Sequence, residues 1–391
     1  MSNKAVYLDY AATTPVDPRV IEIMQTCLSL DGHFANPASI HAKGRQSAAL
    51  VSDARMRLAN LLNTQPECLI WTSGATESNN LAIQGAARAR AHRGRHLITM
   101  PTEHKAVIDT FKALEKEGFE VSWINPGADG LLSLDTLENE LRADTQLVSV
   151  MHVNNETGVI QDIGGIGLLC REHGVVFHTD AAQSVGKLDI DLGNLPVDLL
   201  SLTAHKFYGP QGIGALYIAD RPGNGIVPIM FGGNQERRLR PGTLPVHLIA
   251  GAGLAATIAA SRLNDDTRHL QVMRDRLWDG IKDIEGLTRN GPDGNCYAGI
   301  LNVSVDGVEG ESLMLGMEPV CVASGSACNS TSGESSYVLR ALGRNDRQAQ
   351  SAVRFSFGHA TTSDDIDMAI ARYRWTVNHL RAIAPRSMAV S

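Results

Sequence analysis

From residue 68 onward the chain alternates between two textures. Apolar runs, "CLIWT", "HLITM", "EVSWI", "QLVSVMHV", "VVFHTD" and "DLLSLTA", are separated by helix-like stretches or glycine-containing turns. Runs this continuously apolar are strands buried on both faces, which belong to a parallel sheet with helices packed on either side. One intervening helix is legible at "SLDTLENELR", where Ser133 can cap and Leu134, Leu137 and Leu141 recur at helical spacing. At 391 residues the chain exceeds what a single core usually serves, so two domains sharing a cleft are expected.

The texture changes beyond residue 266. A buried helix over the apolar run 248–260 gives way to an amphipathic helix with Leu270, Met273, Leu277, Ile281 and Ile284 on one stripe. Strands follow at "ILNVSV" and "VRFSF", and a last helix begins near Thr362. The predicted organisation is a large α/β domain over 15–262 and a smaller α+β domain built from 1–14 and 263–391, onto which the opening residues fold back. The cleft between them is the natural place for a site.

Several function classes drop out. A net charge of -7, from 35 basic and 42 acidic residues spread along the chain, offers no stripe for nucleic acid and no patch for a membrane. The run 248–260 is short of the roughly 20 residues needed to span a bilayer. "MSNKAVYLDYAATTP" lacks the pattern of a signal or transit peptide, so a cytoplasmic protein is expected. Cys27, Cys68, Cys170, Cys296, Cys321 and Cys328 form no CxxC pair, so neither a zinc site nor a disulfide framework is expected, and no metal. Walker, HExxH, GxSxG and strand-linked GxGxxG patterns are absent.

In a doubly wound sheet, ligands gather at the carboxyl ends of strands. "WTSGATESNN" is a strand, a Ser-Gly turn and a helix start that offers backbone N–H groups and the Thr76 hydroxyl to an anion, although plain capping by Thr76 accounts for it equally. "TEHKAV" puts His104 past the next strand, where a capping or surface role is the ordinary reading. "FHTDAAQ" ends an apolar strand on Asp180, an expensive place for an acid without a cation or several donors, with Gln183 just beyond. "SLTAHKFYGPQGIG" ends another on Lys206, alone among eight lysines in that position; desolvation would make it a nucleophile toward an aldehyde, and simple snorkelling is the alternative. Taken together, an anion cradle, an acid for a pyridine nitrogen and a desolvated lysine are the parts that pyridoxal 5'-phosphate needs.

"TSGATESNNLAI", "TEHKAV", "MHVNNETG", "HTDAAQSVGK", "AHKFYGPQGIGALY", "RPGTLPVH" and "ASGSAC" occur in this order over nearly the whole chain. The series resembles that of the cysteine desulfurases, the NifS-like class of fold-type I pyridoxal phosphate enzymes. The resemblance implies a large domain with a mostly parallel seven-stranded sheet plus a smaller α+β domain. It implies that Lys206 bonds the cofactor covalently, Asp180 partners the pyridine nitrogen, Gln183 meets the phenolic oxygen, and His104 stacks on the ring and moves protons. Thr76, Thr203, His205 and the backbone of Ala75 would hold the phosphate, and Asn155 would lie beside ring and substrate. Thr243 would reach the phosphate of a neighbouring subunit, implying a homodimer, and Arg354 would clamp the substrate carboxylate.

The implied activity converts L-cysteine to L-alanine, with sulfur passing to a thiolate. Cys328, in the small polar segment 323–336 "ASGSACNSTSGESS", is the natural acceptor; it would carry a persulfide and donate the sulfur to an acceptor protein in iron–sulfur cluster assembly or a dedicated thiolation pathway. Thr203, Pro241 and Asn329 depart from the commoner residues of the class. The chain also stops at "RAIAPRSMAVS", short of the tail with which housekeeping members help dock a scaffold. A selenocysteine lyase or an aminotransferase of the same fold would share Lys206 and Asp180. A non-catalytic assembly scaffold would have no reason to keep the lysine, acid, arginine and thiol together.

Overall fold

The computed structural model describes residues 5–292, 294–324 and 335–383. It opens with a short strand, β1 (Val6–Tyr7), and a helix, α1 (Pro18–Gln25), whose Asp17 cap accepts from Arg19 N. The long helix α2 (Ala42–Leu61) precedes the main sheet.

Seven strands make that sheet: β2 (Leu69–Thr72), β3 (His96–Thr99), β4 (Glu120–Trp123), β5 (Thr145–Ser149), β6 (Val176–Asp180), β7 (Leu199–Thr203) and β8 (Gly214–Ile218), in the order β2-β8-β7-β6-β5-β3-β4. From β4 to β7 every neighbouring pair is parallel, and β8 runs antiparallel to both β7 and β2. Adjacent residues of a strand point to opposite faces. Ile98, Val148, Phe177 and Leu200 accordingly enter one apolar cluster while Leu97, Leu147, Val176 and Leu199 enter another. Strands that serve two cores at once have no polar face, which is why their sequences read as unbroken apolar runs.

The helices that connect these strands are α3 (Ala75–Arg90), α4 (Lys105–Lys116), α5 (Leu134–Glu140) and α6 (Ile163–Glu172). Ser133 caps α5 by accepting from Thr136 N, and Leu137 is the residue of α5 that is buried. Helices α3 and α4 cover the Leu97 face, whereas α2 covers the other together with α7 (Val246–Ile281). The expected separate helices over 248–260 and beyond 266 are one continuous helix of 36 residues. It is long and apolar enough to cross a membrane by length and composition alone, but its apolar half packs on α1 and α2.

Beyond α7 a four-stranded antiparallel sheet, in the order β12-β13-β10-β9, is built from β9 (Leu287–Arg289), β10 (Ile300–Val305), β12 (Ala323–Ser324) and β13 (Val353–Ser356). The strand β11 (Val320–Cys321) pairs instead with β1, so the opening residues do fold back. A third apolar cluster gathers Leu8, Leu270, Met273, Leu277, Ile300, Phe355 and Tyr373, the last from the closing helix Ser363–Ile383.

Candidate active site

The carboxyl ends of β2, β6 and β7 open on one cleft of about 570 Å³ between the main sheet and the small one. It is lined by Ala75, Thr76, His104, Asn155, Asp180, Gln183, Thr203, His205, Lys206 and Arg354, which the chain supplies from segments far apart in sequence. Thr243 is exposed and is not among the lining residues. Cys328 lies outside the described residues. None of the described cysteines lines the cleft, and no group of three His, Cys, Asp or Glu able to hold a metal occurs among the described residues.

At the end of β2 the chain turns through Ser73 and Gly74 into α3. Gly74 has φ 152, a backbone open to glycine, and it caps α3 without a side-chain bond. Thr76 therefore does not cap; it lies inside the first turn and is exposed to the cleft. The turn lies against β8 so closely that a Cβ on Gly214 would fall 2.7 Å from Gly74 Cα. First-turn N–H groups of a helix have no intrahelical acceptor, and here the helix end faces a cleft edged by Thr203 and His205. That donor set suits a phosphate. Burial works to raise the carboxyl of Glu77 in the same turn, and hydrogen bonds from Arg240 and Ser73 outweigh it, holding the group below its usual range.

Asp180, the last residue of β6, is 5% exposed. Its Oδ1 accepts from Ala182 N at 2.9 Å and its Oδ2 from Asn79 Nδ2 at 2.7 Å, and no cation pairs with it among the described residues. A buried carboxylate with donors but no counter-charge matches a cationic ring nitrogen. Thr203 ends β7, and a short turn, Ala204–Lys206, carries the next two residues to the cleft. Lys206 Nζ donates to the carbonyls of Ala11 and Ala12, the latter at 2.7 Å. His205 Nδ1 lies 3.0 Å from Thr13 Oγ1, and burial, helped by the charges of Lys206 and Lys187, pushes its ring down to about 4.

His104 does cap: its Nδ1 accepts from Ala106 N at the start of α4, while the ring lines the cleft. Beside it Glu103 is fully buried, with Oε1 accepting from Met151 N and Oε2 without a partner. Burial pushes that carboxyl well above its usual range, and the charge of Asp180 adds to the effect.

Arg354, in the middle of β13, is 2% exposed. Nη1 donates to the Asn155 carbonyl and Nη2 to Asp9 Oδ1, each at 2.8 Å, and Nε has no partner. Its cross-strand neighbours are Ala323 on β12 and Asn302 on β10. Asp9, Asn79 and Glu103 were not read from the sequence as site residues, nor was Lys187, which donates to Gln183. Asn79, Glu103 and Lys187 nonetheless fall inside motifs quoted above, each within a helical turn or so of a residue that was.

The class-V aminotransferase family matches residues 6–368. A cysteine desulfurase IscS of Shewanella sediminis is 52% identical over 381 residues, 97% of this chain and 94% of the relative. Among solved structures, a NifS-like protein superposes with TM-score 0.89 at 34% identity, covering 96% of this chain and 100% of its own. One described as SspA in complex with cysteine superposes at 0.80 and 38% identity, covering 91% and 99%.

Proposed function

The chain belongs to the class-V aminotransferase family as one of its cysteine desulfurases, and from that premise we propose how its residues divide the work. Bound pyridoxal 5'-phosphate supplies an electron sink that lets the α-proton leave and weakens the carbon–sulfur bond of cysteine. The observation that carries the assignment is the convergence of Lys206, Asp180 and Arg354 on one cleft.

Lys206, in the turn that follows β7, would hold the cofactor covalently. Asp180, fixed by Asn79 and the Ala182 amide, keeps the ring nitrogen protonated. The α3 amino end, with Thr76, Thr203 and His205, takes the phosphate, and Gln183 donates to the phenolic oxygen. Arg354 receives the substrate carboxylate beside Asn155. His104, at the cleft wall, moves the proton. Cys328 accepts sulfur: cysteine and its thiol yield alanine and a persulfide, with no oxidant or reductant required. That no described cysteine lines the cleft supports this assignment.

Cys328→Ala is expected to take up the cofactor with its visible absorbance intact and to release no sulfide from cysteine; full turnover would refute the role. Lys206→Ala is expected to lose the covalent bond and the absorbance that depends on it.

The remaining parts are proposals of the same kind. A large domain over 15–262 and a small one of 1–14 with 263–391 rest on the distinct apolar clusters, the boundary passing within α7. A homodimer rests on Thr243, exposed and without a place in its own cleft, and on Phe231 nearby in sequence, 85% exposed. Light scattering should return twice the chain mass, and Thr243→Ala should weaken cofactor binding. We place the protein in the cytoplasm, donating sulfur to a carrier or scaffold protein; transfer of labelled persulfide sulfur to candidate acceptors tests this.

A further inference from the structure

A side-chain amide has a donor end and an acceptor end, and reversing it replaces one by the other in the same place. In Gln183 both ends are specified. Nε2 donates to the Ala11 carbonyl at 2.8 Å, and Oε1 accepts from Lys187 Nζ at 2.7 Å. A carbonyl can only accept, and a lysine amine has an N–H to give whether charged or neutral. The amide thus has one orientation that satisfies both neighbours. Since Gln183 lines the cleft, the donor it has left to offer there is its second Nε2 hydrogen.

Lys187 has no evident reason of its own to be where it is. It is partly buried, lies over the Tyr297 ring at 5.4 Å, and has no carboxylate partner among the described residues. It lines a small cavity of about 30 Å³ that Lys206 lines as well. Burial, followed by the charges of Lys206 and Arg354, pushes its amine well below the usual lysine range. Packing a second amine beside Lys206 is costly. The turn that delivers it passes through Gly186 at φ 74, where a Cβ would meet Phe207 at 2.8 Å, so the backbone is committed to this placement.

We propose that Lys187 is a positioning residue of the cofactor site: by donating to Gln183 Oε1 it locks the amide with its N–H toward the cleft, where the phenolic oxygen of the cofactor is to be met. This rests on the reading of Gln183 given above. The Ala11 carbonyl closes the circuit, because it accepts from both Gln183 and Lys206. A flipped amide would turn an oxygen on that phenolic oxygen, repelling where it should donate.

The test titrates pyridoxal 5'-phosphate into apo-protein and reads the dissociation constant and the position of the visible absorbance band. Lys187→Met removes the donor and keeps the bulk. It is expected to weaken cofactor binding roughly 5- to 10-fold, the worth of one hydrogen bond, and to shift the band. In a Gln183→Ala background the same substitution is expected to change neither quantity further, since there is no amide left to orient. An unchanged Lys187→Met, or an equal loss repeated on top of Gln183→Ala, overturns the proposal. If Lys187→Met does not fold, Lys187→Gln, which keeps a donor, is expected to hold the wild-type band position; a shift there would mean that bulk matters rather than the donor, and also overturns it. Should Gln183→Ala itself leave the band and affinity untouched, the reading of Gln183 fails, and this inference with it.

Discussion

Arg354 comes to the cleft with two of its nitrogens already spent, one on the Asn155 carbonyl and one on Asp9. Asp9 therefore sets where the guanidinium sits before any substrate carboxylate arrives. Its neighbour Tyr7, pushed up to about 12 by burial and by the Asp9 charge, stays a neutral donor to the carbonyls of Asp9 and Thr13. Asp9→Asn keeps the shape and removes the charge. Its expected effect is a KM for cysteine raised roughly 5- to 30-fold, as a charge-assisted hydrogen bond becomes a neutral one, with kcat moved far less; steady-state kinetics would show equal losses in both if Asp9 served only the fold. Residues of this kind were invisible in the sequence for a simple reason. Asp9 meets Arg354 across 345 residues and Asn79 meets Asp180 across 101, so neither partnership leaves a local pattern. Asp180 and Lys206 were legible because a charged group ending an apolar run is anomalous without reference to anything else.

Helix α7 shows the same limit at the level of an element. Its apolar half and its amphipathic half were both readable, but the stretch between them, with Arg262, Asp265, Asp266 and Arg268, has the composition of a connection. In the structure these charges lie on the helix: Arg262 reaches Asp266 one turn on at 2.9 Å, and Arg268 pairs with Asp265. Strand β8 escaped notice because "GALYI" follows a Gly-rich turn and runs against its neighbours rather than completing another strand–helix unit. The packing of α7 depends on one small residue: a Cβ on Gly253 would stand 2.5 Å from Ala54 Cα on α2. Backbone cannot give way as a side-chain tip can, so Gly253→Ala is expected to cost about 1–3 kcal/mol despite its better helix propensity. Urea denaturation measures this, and a more stable variant would show that α2 and α7 can separate at little cost.

Over the whole molecule, burial has taken several imidazoles out of their ordinary range. His178, between Ser149 and Ser201, is pushed down to about 3, and His152 and His205 to about 4, from a usual 6.5. In each case the unfolded chain binds the proton first, so stability is complete above 6.5 and is lost as pH falls through that value toward 4. The melting temperature should decline steadily between pH 7 and pH 4.5, and a flat profile would mean that these rings are protonated in the fold. The plan of a main sheet covered by helices on both faces was readable from the apolar runs, whereas the way the parts of the molecule are tied together was not. That tie is the opening segment: β1 pairs with β11, Ala11 N donates to Ser356 Oγ, and the next two carbonyls grip Lys206. A chain nicked or trimmed ahead of residue 13 would lose the grip on Lys206 together with the buried Val6, Leu8 and Ala11, so anyone fusing a tag or purifying a fragment should regard residues 5–12 as part of the working machinery.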